Sequence, residues 1–116
     1  MSKRHYEDYL KDILDSIYAI ETFINGMTKN EFIHDLKTIY ATRKAIEIIG
    51  EATKKIPSSI TDKYKDIPWR EIAGMRDVLV HDYFGVDLNV LWKTVQQDIP
   101  ELKMMFVKIM KDLNKG

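Results

Sequence analysis

Apolar residues at Tyr6, Tyr9, Leu10, Ile13, Ile17, Ile20 and Ile24 recur at intervals of three and four, the spacing that lines one face of an α-helix. Asn25-Gly26 supplies a C-terminal stop, and Thr28 followed three residues later by Glu31 reads as a capping box that opens a second helix. So short a link predicts antiparallel packing of the two. The second helix carries Phe32, Leu36, Ile39, Ile46 and Ile49 on its main apolar side, and is expected to run to Lys55 before Pro57 and two serines break it. Its length would be about 40 Å at 1.5 Å per residue. Gly50 within it costs about 1 kcal/mol relative to alanine, which predicts a close backbone approach there. Arg43 interrupts the apolar side and invites an ion pair or an interface role.

Between Pro57 and Pro68 the chain is too polar for core and predicts at most one short helical turn. Asp66 and Pro68 open a third helix, with proline tolerated in the first turn. Its end is expected near Tyr83, punctuated by Gly85 and Asp87. From Leu88 through Val90, Leu91, Trp92, Val95 and Ile99, then Leu102, Phe106, Ile109 and Met110, the period is helical again, and Pro100 predicts a kink or break. No stretch reads as a strand, and no repeat or low-complexity segment occurs. The expected fold is all-α, an antiparallel bundle of four or five helices.

Composition narrows the function classes. The 116 residues predict one domain, spanning 1–116, with no room for a second catalytic lobe. Eighteen basic and eighteen acidic residues give a net charge of zero, so no broad cationic field exists to hold nucleic acid, and anion binding must come from a local cluster. With no cysteine there is no disulfide framework, thiolate metal site or cysteine nucleophile. The apolar runs, such as Ile17 to Ile20 and Met104 to Val107, fall far short of the roughly 20 residues that span a bilayer. The charged start, Lys3-Arg4-His5, lacks the apolar core of a secretion signal. A reducing, cytoplasmic setting and no membrane association are expected.

The third helix holds the unusual chemistry. Trp69, Ile72, Ala73, Val80 and Tyr83 share one face, and Arg76 falls among them. About 100° round the cylinder, Arg70, Gly74, Asp77 and His81 form a second, polar stripe. Asp77 can reach His81 at i, i+4, and a histidine in the last turn feels the negative end of the helix dipole, so both effects favour imidazolium. Such a group suits acid-base work near neutral pH. Arg76 can clamp a phosphate through two hydrogen bonds, and Gly74 would let another backbone come close. Arg76 and His81 nevertheless point about 140° apart on an ideal helix. Three arrangements reconcile them: the helix loosens before His81, Arg76 snorkels round the cylinder, or a two-fold dimer assembles Arg and His from two chains in one cleft, which is favoured. Taken alone, Arg76 also reads as an ion-paired residue and His81 as a helix-end cap. His5 and His34 have no second ligand at metal spacing, so no metal site is expected.

The run Ile67-Pro68-Trp69-Arg70-Glu71-Ile72-Ala73-Gly74-Met75-Arg76-Asp77-Val78-Leu79-Val80-His81-Asp82-Tyr83-Phe84-Gly85-Val86-Asp87 resembles the signature of the HepT-like group of the HEPN superfamily. So does Ala45-Ile46-Glu47-Ile48-Ile49-Gly50-Glu51-Ala52, and the likeness extends over nearly the whole chain, including Leu91-Trp92 and Asp98-Ile99-Pro100-Glu101-Leu102. Its core is Arg, four residues, His, one residue, Tyr: Arg76, His81 and Tyr83, with polar Asp77 after the arginine.

The resemblance implies an all-α bundle that forms a homodimer and places both copies' Arg and His motifs in a shared cleft, acting as a metal-independent endoribonuclease without cofactor. It also implies a toxin of a two-gene system paired with a small MNT-type nucleotidyltransferase antitoxin, which can transfer AMP to the motif tyrosine, here Tyr83. RNA supplies its own nucleophile, the 2′-hydroxyl, so the protein needs a proton shuttle, His81, and a stabiliser for the phosphoryl oxygens, Arg76. Asp77 would orient or charge His81, Arg70 would support the cluster, and a nucleotide on Tyr83 would block the cleft and repel RNA. The alternative is a non-catalytic helical module that docks a nucleotidyltransferase and presents or regulates its substrate.

Overall fold

The computed structural model describes residues 5–80 and 87–114, with side chains described for all of these except 76–80. Every regular element among them is helical, as the periodicity predicts: α1 (Tyr6–Ile24), α2 (Lys29–Ile33), α3 (Leu36–Lys54), α4 (Ser58–Thr61), α5 (Trp69–Val80), α6 (Leu88–Lys93) and α7 (Ile99–Asn114), with a π-helical turn at Thr94–Asp98 joining the last two. The long arms are α1, α3, α5 and the α6–α7 run. α3 packs most extensively, against α1 on one side and α5 on the other.

α1 forms on the expected face: Leu10, Ile13, Ile17 and Ile20 are wholly buried, with Tyr6 and Tyr9 packed against the core edge. Asn25 follows the helix, Gly26 takes φ +78°, a conformation that favours glycine, and the chain turns. The capping box is realised, with the Glu31 N–H donating to Thr28 Oγ1 at 3.1 Å and the Thr28 N–H to Glu31 Oε1 at 3.0 Å. These bonds to Thr28 hold the Glu31 carboxyl below its ordinary range. Because its folded value is depressed, the stability it contributes is present above the unfolded value and lost as pH falls through the folded one.

The second predicted helix is two. α2 ends after one and a half turns, where His34 caps it with Nδ1–H donating to the Asn30 carbonyl at 2.8 Å. Asp35 then starts α3 by accepting the Thr38 N–H at 3.2 Å. The break turns Phe32 into the core, its ring tilted 43° to that of Trp92 with centroids 5.1 Å apart, and leaves Leu36 60% exposed, against the expectation that the two share one face. Asp35→Ala is expected to cost about 1 kcal/mol in a denaturant melt, since it removes the cap of a long, core-forming helix.

Ile39, Ile46 and Ile49 of α3 are buried as expected, and Gly50 is buried with them. Arg43 is half-buried, with no ion pair among the described residues. Thr42 and Thr53 are also buried on α3; their hydroxyls donate to their own helix's carbonyls at Thr38 (2.9 Å) and Ile49 (2.7 Å), which removes the penalty of an unpaired polar group.

The linker to α5 holds the short turn α4, and its Tyr64 is tied to α7 by the hydroxyl donating to Asp112 Oδ2 at 3.2 Å. Burial, reinforced by Asp112, pushes that phenol above its ordinary pKa. Asp87 caps α6, its carboxylate accepting the Asn89 and Val90 N–H groups, while the expected end of the third helix near Tyr83 lies outside the described residues. Val90, expected on the apolar side, is 41% exposed. Pro100, which lacks an N–H and whose ring would crowd the preceding turn, is accommodated by the π turn just before it, where the Ile99 N–H reaches back to the Thr94 carbonyl. α7 buries Ile99, Leu102, Phe106 and Ile109 and is joined to α1 by Lys103 Nζ, 3.1 Å from Glu21. Among the described residues no helix is long and apolar enough to cross a membrane.

Candidate ribonuclease site

The site is organised by α5. Pro68 stands immediately before its first residue and its carbonyl accepts the Ile72 N–H at 3.0 Å, so proline sits at the cap and not inside the first turn. Trp69 anchors this end in two ways that its apolar spacing did not show. The indole N–H donates to the Tyr64 carbonyl at 2.9 Å, and the ring meets Phe106 edge-on with centroids 5.7 Å apart. One turn later Ile72 is 2% exposed. Tryptophan and isoleucine therefore fix both the axial position and the rotation of α5 on the bundle. The rotation determines where every later residue of the helix lies.

Arg76 and Asp77 belong to α5; their side chains lie outside those described. His81 and Tyr83, with Gly85, lie outside the described residues altogether. Helical backbone extends to Val80. Between Arg76 and Val80 the backbone is thus regular helix, without the loosening that was one of the three ways of reconciling Arg76 with His81.

The second stripe of α5 can be followed as far as it is described. Arg70 is exposed, and Gly74 is half-buried in an ordinary helical conformation. A Cβ built on Gly74 meets nothing within 4 Å. No part of the described chain takes up the close approach that this glycine permits. Gly74→Ala is therefore expected to stabilise the isolated chain by about 0.5–1 kcal/mol through helix propensity in a chemical denaturation curve. Destabilisation would show that some surface already rests on the glycine.

His5 and His34, set aside as metal ligands, sit at helix ends: the His5 N–H donates to Asp8 at 3.2 Å, and His34 makes the α2 cap described above. Among the described residues no three His, Cys, Asp or Glu side chains form a group that could hold a metal ion.

Comparison with known proteins bears on the same segment. Residues 13–109 match the family described as "Ribonuclease HepT-like". The chain is similar to "Probable ribonuclease HepT" of Thermococcus cleftensis, 51% identical over 109 residues that cover 94% of this chain and 99% of that one. It is similar to a "Putative RNase" of Methanocaldococcus jannaschii, 47% identical over 115 residues, 99% of each chain. A "Putative RNase" of Caldanaerobacter subterraneus is 38% identical over 103 residues, 89% of this chain and 92% of that one. No solved structure matches.

Proposed function

The chain belongs to the HepT-like ribonuclease family, and on that premise we propose that it is a metal-independent endoribonuclease whose site is built from Arg76 and His81 of two copies. The observation that carries this reading is the extent of the family match, residues 13–109, which takes in the whole segment from Arg76 to Tyr83. The open stripe of α5 at Arg70 and Gly74 supports the dimeric arrangement, because it leaves room for a second helix beside the motif.

In the proposed reaction the 2′-hydroxyl of one nucleotide attacks the adjacent phosphorus. His81 receives or delivers the proton as the O–P bond to the 2′-oxygen forms and the bond to the 5′-oxygen of the next nucleotide breaks. The departing 5′-oxygen leaves as a hydroxyl, so no metal-bound water is required. Arg76 holds the phosphoryl oxygens through its planar fork, with the largest benefit where negative charge develops. Asp77, one turn before His81, favours its charged form, and Arg70 adds positive potential on the same stripe.

We further propose that the chain is a toxin held in check by an MNT-type nucleotidyltransferase antitoxin. That partner would move AMP from ATP to the Tyr83 hydroxyl, forming a phenol–phosphate bond and releasing pyrophosphate. The added phosphate would occupy the cleft and repel RNA.

Purified protein incubated with structured and single-stranded RNA in excess EDTA is expected to cleave. A preparation that binds a nucleotidyltransferase tightly yet leaves RNA intact and growth unaffected would instead mark a non-catalytic docking module. Co-expression with the antitoxin is expected to add whole AMP units to the intact mass, mapping to Tyr83. Binding to RNA should depend only weakly on salt, since few phosphates are contacted; a slope implying about six or more contacts would contradict a site of so few cations.

A further inference from the structure

On the side of α5 that faces α7 the fold leaves a groove of about 290 Å³. Its floor is apolar: Ile72 and Leu102 are 2% and 5% exposed, and half-buried Met75 of α5 and Met105 of α7 line it. Its rim is acidic. Among the described residues Glu71, Asp98 and Glu101 are the only ionisable ones in the lining, and none has a hydrogen bond or ion pair. Elsewhere exposed carboxylates such as Asp15 and Glu21 hold lysines at 3.2 and 3.1 Å.

On a chain of zero net charge, three unpaired carboxylates round one apolar floor make a local field that repels RNA and attracts cations. The volume lies at or below the lower limit for an enclosed small-molecule pocket, so it suits one or two inserted side chains better than a whole ligand. Flexible, polarisable methionines adapt to such insertions, as they do on surfaces that take up amphipathic helices. We propose that the groove docks an amphipathic segment of a protein partner, in which lysines or arginines flank an apolar anchor. The anchor lies between Met75 and Met105, and the basic groups meet Glu71, Asp98 and Glu101. Met75 directly precedes Arg76, so the segment packs on the helix that carries the motif. The proposal rests on the groove alone and stands independently of the ribonuclease reading.

The probe is a fluorescent lysine-rich helical peptide with one leucine stripe, titrated into the full chain and followed by anisotropy. Saturable binding is expected, weakened about tenfold or more by the double substitution Glu71→Lys and Glu101→Lys and by raising salt several-fold. Met105→Ser should weaken it as well, while Met105→Leu should not. Unchanged melting temperatures establish that the variants fold. Absence of saturable binding, equal affinity for a scrambled peptide with its leucines dispersed, or indifference to the charge reversal would overturn the proposal. So would self-association of the parent chain that the double substitution abolishes, which would assign the groove to a second copy.

Discussion

His81→Ala is expected to slow RNA cleavage by about 10²–10⁴, the range for losing a positioned proton-transfer group, with binding of RNA little changed. The argument starts from sequence position. His81 follows directly on Val80, the last described residue of α5, and Asp77 stands four residues earlier in the sequence; a helix that ends near His81 would set the imidazole beside its free carbonyls and the Asp77 carboxylate, both of which favour imidazolium. On the proposed reading both neighbours favour the protonated imidazole. Single-turnover cleavage in excess EDTA, measured from pH 5 to 9, separates the chemical role from a structural one. With the parent, rate should vary with pH on both sides of the His81 titration. His81→Ala should flatten the corresponding limb, and Asp77→Asn should move it downwards. Cleavage by His81→Ala at the parental rate would remove the histidine from the mechanism.

The part of the fold that was legible in the sequence is the part governed by local chemistry. The face of α1, the Thr28–Glu31 capping box, the brief turn at α4 and the irregularity before Pro100 each depend on residues within a few positions of one another. The break at His34-Asp35 was hidden because Phe32, Leu36 and Ile39 keep helical spacing across it. What ends α2 is a histidine bonding to the carbonyl four residues back, and what starts α3 is an aspartate that also reads as an ordinary surface residue. The cap of α6 at Asp87 went unread for a related reason: an aspartate between two helical periods can close one or open the next, and its two acceptor contacts show that it opens α6. Contacts distant in sequence left no trace in the pattern. Tyr64 with Asp112, 48 residues apart, and Lys103 with Glu21, 82 apart, follow from the way the arms pack. For the site, the motif helix and its register were readable from Trp69 and Ile72. The acidic groove on its other flank was not, because Glu71 and Glu101 look like solvated helix positions until α5 and α7 are placed side by side.

Mixing Arg76→Ala chains with His81→Ala chains is expected to restore about one quarter of the parental cleavage rate, although each alone is nearly inactive. The expectation comes from the angular relation on α5: five residues separate the two groups, which places them about 140° apart round an ideal helix. Helical backbone runs to Val80, and if the helix continues one residue further, to His81, the two groups of one chain would start from different sides of the same cylinder. A two-fold axis beside Gly74, where a Cβ would meet nothing within 4 Å, would bring the arginine of one copy towards the histidine of the other. Each homodimer of a single variant then lacks the same group from both halves of the shared cleft. In the proposed site, loss of Arg76 alone would remove a preorganised charge at the phosphoryl oxygens and should cost about 10²–10³ in rate. Arg76→Lys should recover only part of this, because a point charge replaces a two-pronged contact. Random exchange of subunits makes about half the dimers mixed, and in the shared cleft of each mixed dimer one Arg–His pair across the axis is intact and the other is lost, which gives the quarter. The measurement is the initial cleavage rate before and after subunit exchange, with the mixed species confirmed by native mass. A mixture that stays as slow as its components, despite complete exchange, would place Arg76 and His81 of one chain in one cleft, reached by the arginine bending round its own helix.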